Sequence, residues 1–132
     1  MKMAWLSEGG YSGKVPRDQT ANAGVLWAWM ANLQVDHFPI LNFENAPTDG
    51  YDYLILQIPK TPEIRTALFE RDIVKQARRI SKKILFFQEG PVWVYQDMPL
   101  EQQFWHYNTL VDVDLIFCEN TTDIPYYKGF VP

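Results

Sequence analysis

Three short apolar runs constrain this chain more than any other feature. They are Tyr53-Leu54-Ile55-Leu56-Gln57-Ile58, Ile84-Leu85-Phe86-Phe87 and Leu115-Ile116-Phe117-Cys118. None alternates apolar with polar residues, so none suits a sheet with one wet face. A run that is apolar throughout belongs to a strand covered on both faces. Strands of that kind pair in parallel, and parallel neighbours need crossover connections, usually helical.

The intervening segments supply that helical pattern. Residues 21–34 place Val25, Leu26, Trp29, Met30 and Leu33 at spacings of three and four, which predicts an amphipathic helix. Thr61-Pro62-Glu63 reads as a helix start: a hydroxyl at the cap, proline in the first turn and an acid beside it. Ile64, Ala67, Leu68, Ile73, Val74, Ala77 and Ile80 then carry a predicted helix to about residue 81. Pro99 opens another, with Leu100, Phe104, Tyr107 and Val111 on its expected inner face. A last short helix is expected over 121–128, closed by Gly129. Residues 2–7 and 37–43 add two further strands, Pro39 placing the second at an edge or a strand start. The order β-α-β-β-α-β-α-β-α defines an α/β chain: a doubly wound three-layer sandwich on a mainly parallel five-stranded sheet, Rossmann-like. Residues 44–50 are too short to be a domain linker, so residues 1–132 read as one domain.

Composition narrows the classes. With 47% apolar and 21% charged residues the chain is globular rather than disordered. No apolar run approaches the roughly 20 residues that cross a bilayer, and the first residues are too short an apolar stretch for a signal peptide. The single cysteine, Cys118, permits no internal disulfide and is expected in the core; a cytoplasmic location follows as the default. A net charge of −4 argues against tight nonspecific binding of nucleic acid. The basic cluster Lys75, Arg78, Arg79, Lys82 and Lys83 reads as helix-end cations that complement the helix dipole. Five tryptophans are many for so small a core and suggest a binding surface or a partner interface.

Open parallel sheets bind ligands beyond the carboxyl ends of their strands. The first strand is followed by Ser7-Glu8-Gly9-Gly10-Tyr11-Ser12-Gly13-Lys14, the third carries Gln57, the fourth is followed by Gln88-Glu89-Gly90, and the fifth by Glu119-Asn120-Thr121. Glu8, Gly9, Gly10, Gln88, Glu89, Gly90, Glu119 and Asn120 are therefore the expected ligand-contacting residues. The glycine loop after the first strand could cradle a phosphate. It has neither the P-loop nor the G-x-G-x-x-G spacing. His37 and His106 are far apart, with His106 expected on the solvent side of its helix. No spacing of His, Cys, Asp and Glu suggests a metal site, and no cofactor is implied.

One stretch carries a resemblance. Glu89-Gly90-Pro91 follows a strand; Trp93, a helix, Asp114-Leu115-Ile116-Phe117-Cys118-Glu119-Asn120, and Asp123 through Gly129 come after it. This order resembles the N-terminal domain of GT-B-type glycosyltransferases, and Glu8-Gly9-Gly10 is similar to that family's first loop. The resemblance implies an acceptor-side half of a nucleotide-sugar-dependent transferase, with Gly9 and Gly10 by the donor diphosphate and Glu89, Trp93 and Asn120 on the acceptor side. The nucleotide sugar would be gripped by a second domain, expected in a continuation of the chain or in a partner chain. The half is therefore expected to be inactive alone, and to form a homo-oligomer or join a partner chain. No residue matches a catalytic-base motif. The alternative is a non-catalytic sugar- or nucleotide-binding module with a Rossmann- or flavodoxin-like fold.

Overall fold

The apolar runs do become the centre of a parallel sheet. A computed structural model describes residues 1–8, 13–14, 32–59, 61–88, 97–118 and 120–129. Strands β1 (Met3–Ser7), β3 (Asp36–Pro39), β4 (Tyr53–Leu56), β5 (Ile84–Gln88) and β6 (Leu115–Cys118) are mutually parallel, and the two-residue β2 (Gly13–Lys14) adds an antiparallel edge beside β3. The spatial order is β2-β3-β1-β4-β5-β6. Numbered along the chain, the five parallel strands lie 2-1-3-4-5, the flavodoxin-like order. The α/β, Rossmann-like class read from the sequence is the class observed.

Side chains alternate between two faces. Ala4, Leu6, Phe38, Leu54, Leu56, Ile84 and Phe86 join the larger core cluster. Trp5, Ile55 and Phe87 join the smaller one on the opposite face, with Met3 and Leu85 packed against it. Helices α1 (Pro62–Leu68), α2 (Ile73–Arg78) and α3 (Leu100–Val111) contribute Leu68, Ile73, Val74, Ala77 and Leu110 to the first face alone. The chain closes with a 3-10 turn (Thr121–Asp123) and α4 (Ile124–Tyr127). The helix expected over 21–34 lies almost wholly outside the described residues; of its apolar positions, Leu33 is described and is exposed.

Three sequence expectations are corrected. The strand expected over 37–43 ends at Pro39, and residues 40–52 cross over β1 to reach β4 as an irregular loop that still buries Phe43 and Ala46. The helix expected from 61 to 81 breaks at Phe69–Asp72, where Glu70 takes φ +83° and Asp72 Oδ1 caps α2 by accepting the Lys75 N–H at 3.1 Å. The break has a packing reason. Leu68 and Ile73 are five positions apart, so an unbroken helix would turn them about 140° apart. Interrupting it lets both reach the sheet.

The third correction concerns α3, which is rotated from its expected orientation. Leu100, Phe104 and Val111 are 64%, 57% and 53% exposed, whereas His106, placed on the solvent side by its sequence context, is 2% exposed. Anchors outside the helix set this rotation. Trp105 Nε1 donates to the Arg71 carbonyl at 2.8 Å, Leu110 and Val113 enter the core, and the His106 ring meets Phe86 edge-on at 5.8 Å.

Asp114 pins β5 to β6. Its Oδ2 accepts the Ile84 N–H at 2.8 Å and Arg78 Nη1 at 2.8 Å, while Arg78 also donates to the Lys82 and Asp112 carbonyls. Burial pushes the Asp114 carboxyl up, but the Ile84 amide and the Arg78 guanidinium outweigh it and hold the group below its ordinary value. A carboxyl depressed on folding stabilises above its unfolded range and loses that contribution as pH falls through the folded value. Because the pair is about one-third exposed, solvent screening limits its worth. Asp114→Ala is expected to lower unfolding free energy by about 1 kcal/mol in urea melts at pH 7, with the gap to wild type narrowing as pH falls below the ordinary carboxylate range.

Candidate functional site

The strand order defines where a ligand can enter. The chain leaves β1 toward β3 on one side and leaves β4 toward β5 on the other, so the topological switch lies between the carboxyl ends of β1 and β4. There the two ends are tied by polar bonds. The Gln57 N–H donates to the Leu6 carbonyl at 2.9 Å, and Trp5 Nε1 donates to Gln57 Oε1 at 3.0 Å. Glu8, exposed at the mouth, accepts the Thr61 hydroxyl at 2.7 Å. Thr61 is the residue before α1, so this bond links the loop after β1 to the start of the next helix.

Beneath the mouth, Ser7 Oγ and His37 Nε2 lie 2.6 Å apart, with Ser7 Oγ also donating to the Glu8 carbonyl at 3.3 Å. Both side chains are buried. The pair thus fixes the ends of β1 and β3 rather than presenting an open nucleophile. Sequence reasoning gave neither Thr61 nor His37 a role at this edge. For Thr61 the usable signal was position, since it stands at a helix start beside the loop after β1.

Of the expected site residues, Glu8, Gln88 and Asn120 are described. Gln88, the last residue of β5, is wholly buried. Asn120 is half-buried after β6, where its carbonyl accepts the Asp123 N–H at 3.0 Å. Gly9, Gly10, Glu89, Gly90, Trp93 and Glu119 lie outside the described residues. The three that are described share one edge but do not meet at a point. Parallel neighbours are spaced about 4.8 Å apart, so Gln88 stands roughly 10 Å from Glu8 and Asn120 roughly 14 Å from it. Because Gln88 is wholly buried, the groups this edge can present are the Glu8 carboxylate, the Thr61 hydroxyl and the half-buried Asn120 side chain.

Several described residues between Asp114 and Gly129 do structural work. Asp114 pins two strands; Ile116 and Cys118 pack against the core; Tyr127 is buried in it, with Tyr126 edge-on at 5.0 Å. Burial, with Asp123 as a lesser cause, pushes the Cys118 thiol up, away from the reactive thiolate form. Among the described residues, no group of three or more His, Cys, Asp or Glu side chains could hold a metal ion, and no helix is long and apolar enough to cross a membrane. No family model matches the chain, and no curated protein or solved structure matches it either.

Proposed function

We propose that this domain is a binding module for a hydroxyl-rich ligand of the sugar class, held along the carboxyl edge of the sheet. One observation carries the reading: the switch between β1 and β4 opens at Glu8 and Thr61, and Asn120 stands farther along the same edge. Carboxylates and side-chain amides accept from and donate to sugar hydroxyls, and a span of roughly 14 Å suits two or three sugar rings rather than one. The order of motifs in residues 89–129 supports a narrower form, in which the module receives the acceptor for a transferase whose second domain holds the nucleotide sugar. In that form the outward apolar stripe of α3 would meet the second domain or another copy of the chain.

The test is an amide chemical-shift titration of the whole chain with neutral disaccharides and, separately, with UDP-glucose. Disaccharides are expected to move the amides of Ser7, Glu8, Ile58, Thr61, Gln88 and Asn120. Glu8→Gln should weaken that binding about tenfold, because it removes a charged acceptor while leaving the fold intact. Shifts confined to other surfaces, or no shifts with any sugar, would refute the site. Shifts at this edge from UDP-glucose alone would assign the edge to a nucleotide donor instead.

A further inference from the structure

We propose a second site, independent of the carboxyl edge: a pocket for a small phosphorylated ligand between the β3–β4 crossover and α2. The cavity measures about 490 Å³ and is lined by Phe43, Glu44, Arg71, Asp72, Lys75, Gln76 and Arg79. That volume lies within the range of small-molecule sites, roughly 300–1,000 Å³.

The pocket follows from the broken helix. Lys75 and Arg79 lie four residues apart on one side of α2, and Arg71, just before its cap, joins them in the same wall. Rotation of α2 toward Ile73, Val74 and Ala77 turns that basic side away from the sheet and toward the crossover loop. The cluster that reads as helix-end charge in the sequence is therefore divided. Arg78 pairs with Asp114, whereas Lys75 and Arg79 enter the pocket wall with Arg71.

The two arginines are held in place without being neutralised. Arg71 donates to the Leu41 carbonyl at 3.2 Å and, through Nε and Nη2, to Gln76 Oε1 at 3.2 and 2.7 Å; its guanidinium lies 5.8 Å from the Phe43 ring centre. Arg79 donates to the Ala46 carbonyl at 2.9 Å and the Phe43 carbonyl at 3.1 Å, with a longer contact to Thr48 Oγ1 at 3.5 Å. All of these acceptors are neutral oxygens. A guanidinium has five N–H donors, so each retains donors for a ligand while its position is already fixed. Among the described residues, no ion pair engages the Lys75 ammonium. Two carboxylates oppose the three cations. Asp72 is occupied through Oδ1 with the Lys75 backbone N–H, and Glu44 is exposed. Preset guanidinium forks beside a lysine match the several oxygens and double charge of a phosphate monoester.

The test uses inorganic phosphate and AMP as probes in amide titrations of the whole chain at low and at physiological ionic strength. Both are expected to shift amides within 41–46 and 71–79, AMP more tightly than phosphate, and both more weakly at the higher salt. Lys75→Glu should weaken AMP binding about tenfold and Glu44→Gln should strengthen it, while Lys82→Glu, on the exposed turn beyond α2, should leave it unchanged. A lipid origin of the phosphate would appear as vesicles of phosphatidic acid binding more tightly than AMP with the same response to Lys75→Glu. Three results overturn the proposal: no shifts in these segments, equal loss from Lys75→Glu and Lys82→Glu, or shifts confined to the carboxyl edge.

Discussion

Acidification from pH 7 to pH 4 is expected to remove about 3 kcal/mol of folding stability through His106 alone. Its ring is buried between α3 and β5, edge-on to Phe86, beside a cavity of only about 10 Å³ lined by Ile58, Arg65, Met98, Gln102 and Trp105. That space holds at most about one water, so a proton arriving on the ring cannot be properly hydrated. Desolvation, reinforced by the neighbouring Arg65 cation, pushes the imidazole down to about 3. In the unfolded chain the same ring titrates near its ordinary value, about 6.5. Between the two values the unfolded state binds a proton that the native state refuses, so stability falls as pH drops and levels off below about pH 3. Above about pH 6.5 both states are neutral and the group contributes no slope. Urea unfolding at half-unit pH steps would show this slope. His106→Phe should remove most of it, leaving the shallower decline that carboxylates such as Asp114 impose. A wild-type slope unchanged in His106→Phe would show that the acid response lies elsewhere.

Phe86→Ala is expected to be the most damaging single substitution among the strand residues discussed above, at about 3–5 kcal/mol in chemical denaturation. Phe86 is fully buried at the centre of β5, hydrogen-bonded into a ladder between β4 and β6, and it supports the His106 ring from below. Truncation leaves a cavity that both rigid neighbouring strands prevent from collapsing. It also gives water a route to His106. The variant should therefore show a second effect that simple cavity formation would not produce: a shallower stability slope between pH 6 and pH 4. Phe117→Ala, on the half-exposed edge strand β6, is the control and should cost under about 1 kcal/mol. Equal losses at the two positions would mean that β6 is covered in solution by something beyond this chain.

Much of the architecture was legible because it rests on local composition. Three unalternated apolar runs required strands covered on both faces, and the helical periodicities between them required crossovers. The start of α3 followed from Pro99. The polar character of the carboxyl edge was legible as well, since Glu8, Gln88 and Asn120 each follow an apolar strand.

Other features depended on contacts between distant segments. The rotation of α3 could not be read from Leu100, Phe104, Tyr107 and Val111, because a rival stripe through His106, Leu110 and Val113 is also compatible with a helix. Trp105 and Arg71, 34 residues apart, chose between them. The helix break at Glu70 was hidden by a run of apolar residues that looked continuous but was out of phase.

The sequence by itself determined that the strands are parallel, that helices connect them and that polar groups gather at their carboxyl ends, since each of these depends on residues near one another in the chain. Only the tertiary structure decided the 2-1-3-4-5 order, the inward turn of His106, and the basic pocket made when α2 swings Arg71, Lys75 and Arg79 toward the crossover loop. The physical reason is that periodicity fixes which element forms, while its rotation and neighbours are set by which distant surfaces exclude water best.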